Sequence, residues 1–312
     1  PKKENKMIYA IPFQGSMRYD VEQSYRKFKG SMNSFKALEK KIDDSKILSE
    51  SDNNTIRNMV LGGFLSSMEI YIADVFEIIY MAFPNKVGKK QIVVEDIEKC
   101  GNIVGLLENL AQQRIHEITY KNFKDIISIL SSEIDLKTDE AIIDKICENK
   151  CTRDLFVHGD LKINDIYLDK CGKNARGKKG DSLTVSRDYM LLASQDIEML
   201  VENIRSAFIE KFKSYGKSRA YKEMWESLFI NKTLPFDDVW EIVDNEMIKR
   251  KKSLPKYAWS TSEEMVYNFI VGVFHGHSTE FQFDLFKALN RWNPESNEYK
   301  CMLAWSMKPF SF

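Results

Sequence analysis

The chain has 312 residues, 43% of them hydrophobic, enough to bury a sizeable core in one large or two modest domains. Lys+Arg and Asp+Glu are equal at 46 each, which excludes a whole-chain field that would draw the protein onto nucleic acid, so any such contact needs a local patch. The five cysteines, Cys100, Cys147, Cys151, Cys171 and Cys301, are odd in number and scattered, which points to reduced thiols in a cytoplasmic setting rather than a disulfide framework.

Cys147 and Cys151 stand one helical turn apart, but zinc needs two further ligands, and buried thiols are the simpler reading. Arg57, Glu69, Asp74 and Glu77 interrupt the most apolar region, so no run of roughly 18 uncharged apolar residues marks a membrane span, and a soluble protein is expected. The sequence opens at Pro1, which leaves room for an upstream segment or targeting signal.

In chain order, Lys2 to Ser16 reads as an extended lead-in with a helix start at Gly15-Ser16. Met17 to Asp44 is predicted as a one-faced helix, from Val21, Tyr25, Phe28, Met32, Phe35, Leu38 and Ile42 at three- and four-residue steps. Thr55 to Phe83 is apolar almost all round, which predicts a central buried helix closed by Pro84. Glu69 is out of place there, because a carboxylate in such a helix needs either a salt bridge or a cleft. Gln91 to Val94 suggests a short extended piece. Glu95 to Glu117 suggests one or two helices broken near Gly101 and Gly105, with His116 on the surface. Helices follow over Phe123 to Leu130 and, capped by Thr138, over Asp139 to Glu148.

Thr152 to Asp160 brings an arginine and a histidine five positions apart around a short apolar run, with Gly159 to turn the backbone away. Arginine is a permanently charged fork suited to phosphate oxygens, and histidine is the side chain that exchanges a proton near neutral pH. Such a pair arises by chance in about one chain in seven of this composition, so its context must decide between phosphate chemistry and a helix end with a surface histidine. On an ideal helix these positions point about 140° apart, and one helix does not make Arg153 and His158 converge.

Leu161 to Leu168 reads as an extended or loosely helical return. Lys170, Lys173, Arg176, Lys178, Lys179 and Arg187 face the single acid Asp181, and Gly172, Gly177 and Gly180 loosen the stretch. It is either a solvated flexible loop or an arm that holds a polyanion. Tyr189 to Phe212 is an amphipathic helix. No Gly-rich phosphate loop, repeat or strand-rich region precedes it, which argues against dinucleotide and kinase-like folds.

All five tryptophans and four of the seven prolines lie beyond Lys213, which suggests one domain over residues 1–213 and a second over 214–312. The second reads as short helices at Ala220 to Phe229, Phe236 to Lys249, Ser262 to Phe274 and Phe281 to Leu289. Lys249-Arg250-Lys251-Lys252 fits a helix C-terminus, and His275-Gly276-His277 fits a turn better than a metal site. The expected fold class is all-α.

The run Arg153-Asp154-Leu155-Phe156-Val157-His158-Gly159, followed by Lys162-Ile163-Asn164-Asp165-Ile166-Tyr167-Leu168, resembles the signature of the HEPN superfamily. The segment Ser67-Met68-Glu69-Ile70-Tyr71-Ile72-Ala73-Asp74 resembles the Glu-containing helix that precedes it in many members. The resemblance spans roughly Ser16 to Lys213, and Asp154 stands where asparagine is frequent. It implies a HEPN-like helical bundle and a homodimer whose two motif copies share a composite active site. It also implies metal-independent endoribonuclease activity, with no cofactor, of the kind found in toxin–antitoxin and anti-phage systems, with an antitoxin or defence-system partner.

On that resemblance, cleavage of single-stranded or loop RNA proceeds by attack of the 2′-hydroxyl on its own phosphate. His158 serves as general base or acid, Arg153 stabilises the phosphorane, Asp154 orients one of them, and Glu69 supports the site. Lys162, Lys173, Arg176, Lys178 and Lys179 would hold backbone phosphates. The alternative from another class is a noncatalytic HEPN-like module that binds RNA or a protein partner. A DNA-binding regulator is disfavoured, since no helix-turn-helix reader stands out.

Overall fold

The computed structural model describes residues 8–45, 49–89, 92, 94–158, 161–229, 234–251, 260–276 and 283–310. The fold is all-α. Thirteen α-helices lie among the described residues: α1 (Ile11–Ser45), α2 (Glu50–Ala82), α3 (Val94–Cys100), α4 (Ile103–Thr119), α5 (Phe123–Ile134), α6 (Glu140–His158), α7 (Asp165–Cys171), α8 (Arg187–Lys211), α9 (Lys217–Leu228), α10 (Phe236–Val239), α11 (Thr261–His275), α12 (Leu285–Arg291) and α13 (Asn297–Met307). A two-stranded antiparallel hairpin, β1 (Trp240–Ile242) and β2 (Ile248–Arg250), follows α10.

Two compact units divide the chain: one of Val21–Phe76 and Ile115–Lys211, the other of Pro1–Asp20, Glu77–Arg114 and Phe212–Phe312. These are drawn differently from the composition boundary near Lys213, because the Trp-rich tail shares its core with the chain's beginning. Ile8 and Ile11 pack against the cluster built by Tyr221, Trp225, Trp240, Ile270 and Cys301, and Lys308 pairs with Asp20 at 2.9 Å. Trp225 and Trp240 are fully buried and meet edge to face at 5.8 Å between ring centroids, a favoured aromatic geometry. The Trp225 indole N–H donates to Leu234 O at 2.8 Å, which satisfies its polar end.

In the unit that carries the motif, α2 is the core helix. Val60, Leu61, Phe64, Leu65, Met68 and Tyr71 are buried, each contributing about 1.5–3 kcal/mol of apolar burial as an upper estimate. By length and hydropathy α2 is apolar enough to cross a bilayer, and half of its most apolar window is buried in the fold. α1 lies along it through Tyr25 and Phe28 against Tyr71 and through Phe35 against Phe64. α8 is fastened to α1 by Arg205 to Glu22 at 2.6 Å and by Lys29 and Lys36 to Glu198 at 2.8 and 2.7 Å. α5 is joined to α6 by Lys124 to Asp144 at 2.6 Å.

Several boundaries differ from the sequence reading. α1 starts at Ile11, before Gly15-Ser16, because Pro12 in a first helical turn sacrifices no hydrogen bond. The break between α3 and α4 falls at Gly101, whose φ of +69° suits glycine, and Gly105 stays inside α4. Asp139, rather than Thr138, accepts the amide of Ala141 at the start of α6, and the helix runs unbroken to His158. Phe236 to Lys249 is not one helix. After one turn the Trp240-Glu241-Ile242 run takes up strand structure, and the Asp244 carboxylate turns the chain by accepting the Glu246 amide at 2.7 Å.

Lys249, Arg250 and Lys251 therefore sit on and just after β2 rather than at the end of a long helix, and Lys251 donates its amide to Val239 O at 2.8 Å and its ammonium to the Asp237 carbonyl of α10. Arg250 donates to the Tyr267 hydroxyl at 2.7 Å, and Lys252 lies outside the described residues. Ser260 and Glu263 form a capping box at α11, and Gly276 ends that helix at φ +70°. α13 extends the expected set of helices. Pro1, Lys2, Gln91, Gly159, Asp160, Trp259, His277 and Phe281 lie outside the described residues.

Candidate active site

α6 carries the motif because its two sides meet different neighbours. Ile142, Ile146, Cys151, Thr152 and Leu155 are buried, while Val157 and His158 emerge at the C-terminal turn. There, cation-bearing side chains are favoured by the helix carbonyls. His158 lines a cleft of about 210 Å³ together with Asp154, Leu155, Asn164, Tyr167 and Lys170. The cleft lies between the last turns of α6 and helix α7. Asn164 caps α7 by accepting the Tyr167 amide at 2.9 Å. The His158 imidazole is exposed and makes no hydrogen bond or ion pair with any described residue.

Arg153 faces elsewhere. Its Nε donates to Asp154 Oδ1 at 3.0 Å, and its Nη1 lies 3.9 Å from Glu69 Oε2, with Gly62 of α2 beside its aliphatic stem. Glu69 also takes the ammonium of Lys150 on its other oxygen, so its presence on the central helix is explained by two cations from α6. Within one chain, then, Arg153 sits on the α2 side and His158 on the α7 side, as the 140° offset predicts. Asp154 belongs to both: it lines the cleft and holds the Arg153 guanidinium.

The basic stretch is ordered where flexibility was expected. Ile163 and Leu183 amides donate to Asp181 O and Leu161 O at 2.9 and 2.8 Å, and Lys162 bridges Ser182, which ties Leu161–Ile163 to the returning strand. Lys162, Lys173, Lys178 and Lys179 are exposed, and Lys179 is ion-paired with Asp165. Arg176 does not join them. Its Nε donates to Glu148 Oε1 at 2.8 Å, its Nη1 to Thr184 O at 2.9 Å and its Nη2 to Thr152 Oγ1 at 2.9 Å, while the guanidinium stacks 3.9 Å over the Tyr189 ring. With its donors spent inside the fold, Arg176 is not available to hold a phosphate.

Glu148, which apolar spacing places at the end of a helix, is the hub of this arrangement. It is 4% exposed and also accepts Thr152 Oγ1, Tyr167 OH and Tyr189 OH at 2.7, 2.7 and 2.8 Å. Burial and the adjacent Glu148 charge raise both tyrosine hydroxyls well above their ordinary range. The available signal was Glu148 and Thr152 at i and i+4 on one side of α6, with Arg176 the lone arginine within a Lys/Gly run. The arrangement fixes α7, and with it the cleft wall, against α6. The chain matches no protein-family model, no curated protein and no solved structure.

Proposed function

We propose that the protein is a metal-independent endoribonuclease of HEPN type that cleaves single-stranded or loop RNA, acting as a cytoplasmic toxin or anti-phage effector. The observation that carries this reading is the exposed imidazole of His158, without a hydrogen bond or ion pair among the described residues, at the mouth of a cleft it shares with Asp154, Asn164 and Lys170. A general base needs such freedom to reach a 2′-hydroxyl. Attack of that hydroxyl on the neighbouring phosphorus expels the 5′-oxygen and leaves a 2′,3′-cyclic phosphate; His158 takes the hydroxyl proton or protonates the leaving oxygen. Arg153, oriented by Asp154 and Glu69, stabilises the charge on the phosphorane. Because the two side chains face apart within one chain, a second copy supplies the facing motif, and the site is composite in a homodimer. Lys162, Lys173, Lys178 and Lys179 present exposed charge to the RNA backbone.

The test incubates RNA with the protein in excess chelator, beside His158→Ala and Arg153→Ala. The expected outcome is cyclic-phosphate ends from the parent protein and a loss on the order of a hundredfold or more in each variant. Activity that disappears with chelator, or persists in both variants, overturns the proposal. One observation favours a second reading, a noncatalytic RNA-binding module: Arg153 is already engaged by two carboxylates and does not line the cleft. RNA binding without cleavage, unchanged in His158→Ala, would establish it.

A further inference from the structure

We propose that the cleft between the end of α6 and α7 is a nucleobase pocket selective for guanine, read by the Asp154 carboxylate and the Lys170 ammonium. Placing the reacting ribose at His158 rests on the ribonuclease reading; the pocket itself is a matter of shape and hydrogen bonding. Its space is about 210 Å³, too small for an extended ligand and suited to a single flat ring system. Leu155, Ile166 and Tyr167 supply the apolar part of the lining, and Ile166 is 65% exposed, open to the face of a base. The wall is stiff: the Tyr167 hydroxyl donates to buried Glu148 at 2.7 Å, and the Asn164 side-chain oxygen accepts the Tyr167 amide at 2.9 Å.

The polar groups choose among the bases. A carboxylate only accepts hydrogen bonds and an ammonium only donates them. Asp154 is steadied by Arg153, whose Nε donates to Oδ1 at 3.0 Å, yet its side chain is 47% exposed, so the carboxylate is both oriented and open to a ligand. An ionised carboxylate has about four acceptor positions, and the arginine takes one of them. Lys170 is exposed and makes no hydrogen bond or ion pair among the described residues. Guanine presents two adjacent donors, N1–H and N2–H, beside an acceptor, O6; both donors suit the carboxylate and the oxygen suits the ammonium. Adenine and cytosine each present one amine beside a ring nitrogen whose lone pair opposes a carboxylate, and uracil presents a single N–H between two carbonyls. Since His158 lines the same cleft, the ribose of the bound guanosine brings its 2′-hydroxyl to the imidazole, and the cut falls on the 3′ side of guanosine.

The test titrates the full chain with short oligouridylates that carry one central guanosine, adenosine, cytidine or inosine, built with 2′-fluoro sugars throughout so that binding is read without cleavage. The guanosine oligomer should bind about ten- to a hundredfold more tightly than the adenosine, cytidine and all-uridine ones. Inosine, which lacks the 2-amino donor, should fall between. Asp154→Asn and Lys170→Met should each collapse the ratio, and the ratio is the readout because a loss of packing weakens every oligomer alike. Equal or undetectable binding of the four bases, preference for another base, or a guanosine advantage untouched by both substitutions overturns the pocket. If Asp154→Asn fails to fold, inosine and the exposed Lys170→Met decide. Sequencing the ends of RNA treated with the unsubstituted protein separates the two readings. A guanosine advantage in binding with no cleavage removes the nuclease and leaves the pocket, whereas cleavage with equal binding of all bases removes the pocket and leaves the nuclease.

Discussion

Replacing Glu148 with glutamine preserves volume and one acceptor oxygen while removing the charge that faces Arg176. The Glu148 side chain is 6% exposed and that of Arg176 25% exposed. Breaking a buried pair by removing one partner costs about 3–5 kcal/mol. Water at the edge of the guanidinium and its stacking on Tyr189 place the loss at the lower end, about 3 kcal/mol. Glu148→Ala should cost about 2 kcal/mol more, since the Thr152, Tyr167 and Tyr189 hydroxyls then lose their acceptor as well. Urea midpoints measure these losses, and amide exchange localises them. The Ile163, Gly180 and Leu183 amides, which tie the basic stretch together, should lose protection first. The pairing is tested by adding Arg176→Met to Glu148→Gln, which should recover at least 1 kcal/mol because no lone buried charge remains. A Glu148→Gln cost under about 1 kcal/mol, or strict additivity in the cycle, would refute the hub as described.

Glu198 supplies a pH dependence. Burial raises its carboxyl, but the hydrogen bonds from Lys29 and Lys36 prevail and hold it below the usual range. Its contribution is therefore complete above the ordinary carboxylate pKa of about 4.3 and is lost as pH falls through the depressed folded value. Since both lysines are more than a third exposed, the loss on Glu198→Gln should be only about 0.5 kcal/mol at pH 7, vanishing when both proteins are compared near pH 2. Gly216→Ala should destabilise by about 1–3 kcal/mol in a thermal melt, because the new Cβ would sit 2.3 Å from the Asn245 carbonyl oxygen of the hairpin turn; an unchanged midpoint would mean the hairpin yields freely. Lys178→Glu with Lys173→Glu should weaken RNA binding and flatten its salt dependence by roughly one phosphate contact per lysine, whereas an unchanged slope would place the RNA elsewhere.

Much of the helical framework was legible because apolar spacing reports burial directly: the Val60 to Phe76 face and the α8 stripe follow from periodicity alone. Boundaries were less so. The hairpin at Trp240–Arg250 was hidden because a short amphipathic run satisfies helix and strand periods alike, and the Asp244 turn settles the choice only once the chain is folded. At the site, the opposite facings of Arg153 and His158 could be read from their spacing. The fate of Arg176 could not, since local composition says a Lys/Gly run is solvated, while a partner such as Glu148, 28 residues earlier, is fixed only by tertiary packing.

Arg176 also changes how the stretch between α7 and α8 meets a protease. A loop pinned at its middle offers two short arcs instead of one long strand. Trypsin should therefore nick after Lys173 or Lys178, whose exposed side chains can enter its specificity pocket, and should spare the bond after Arg176, whose side chain is already inserted into the protein's own interior.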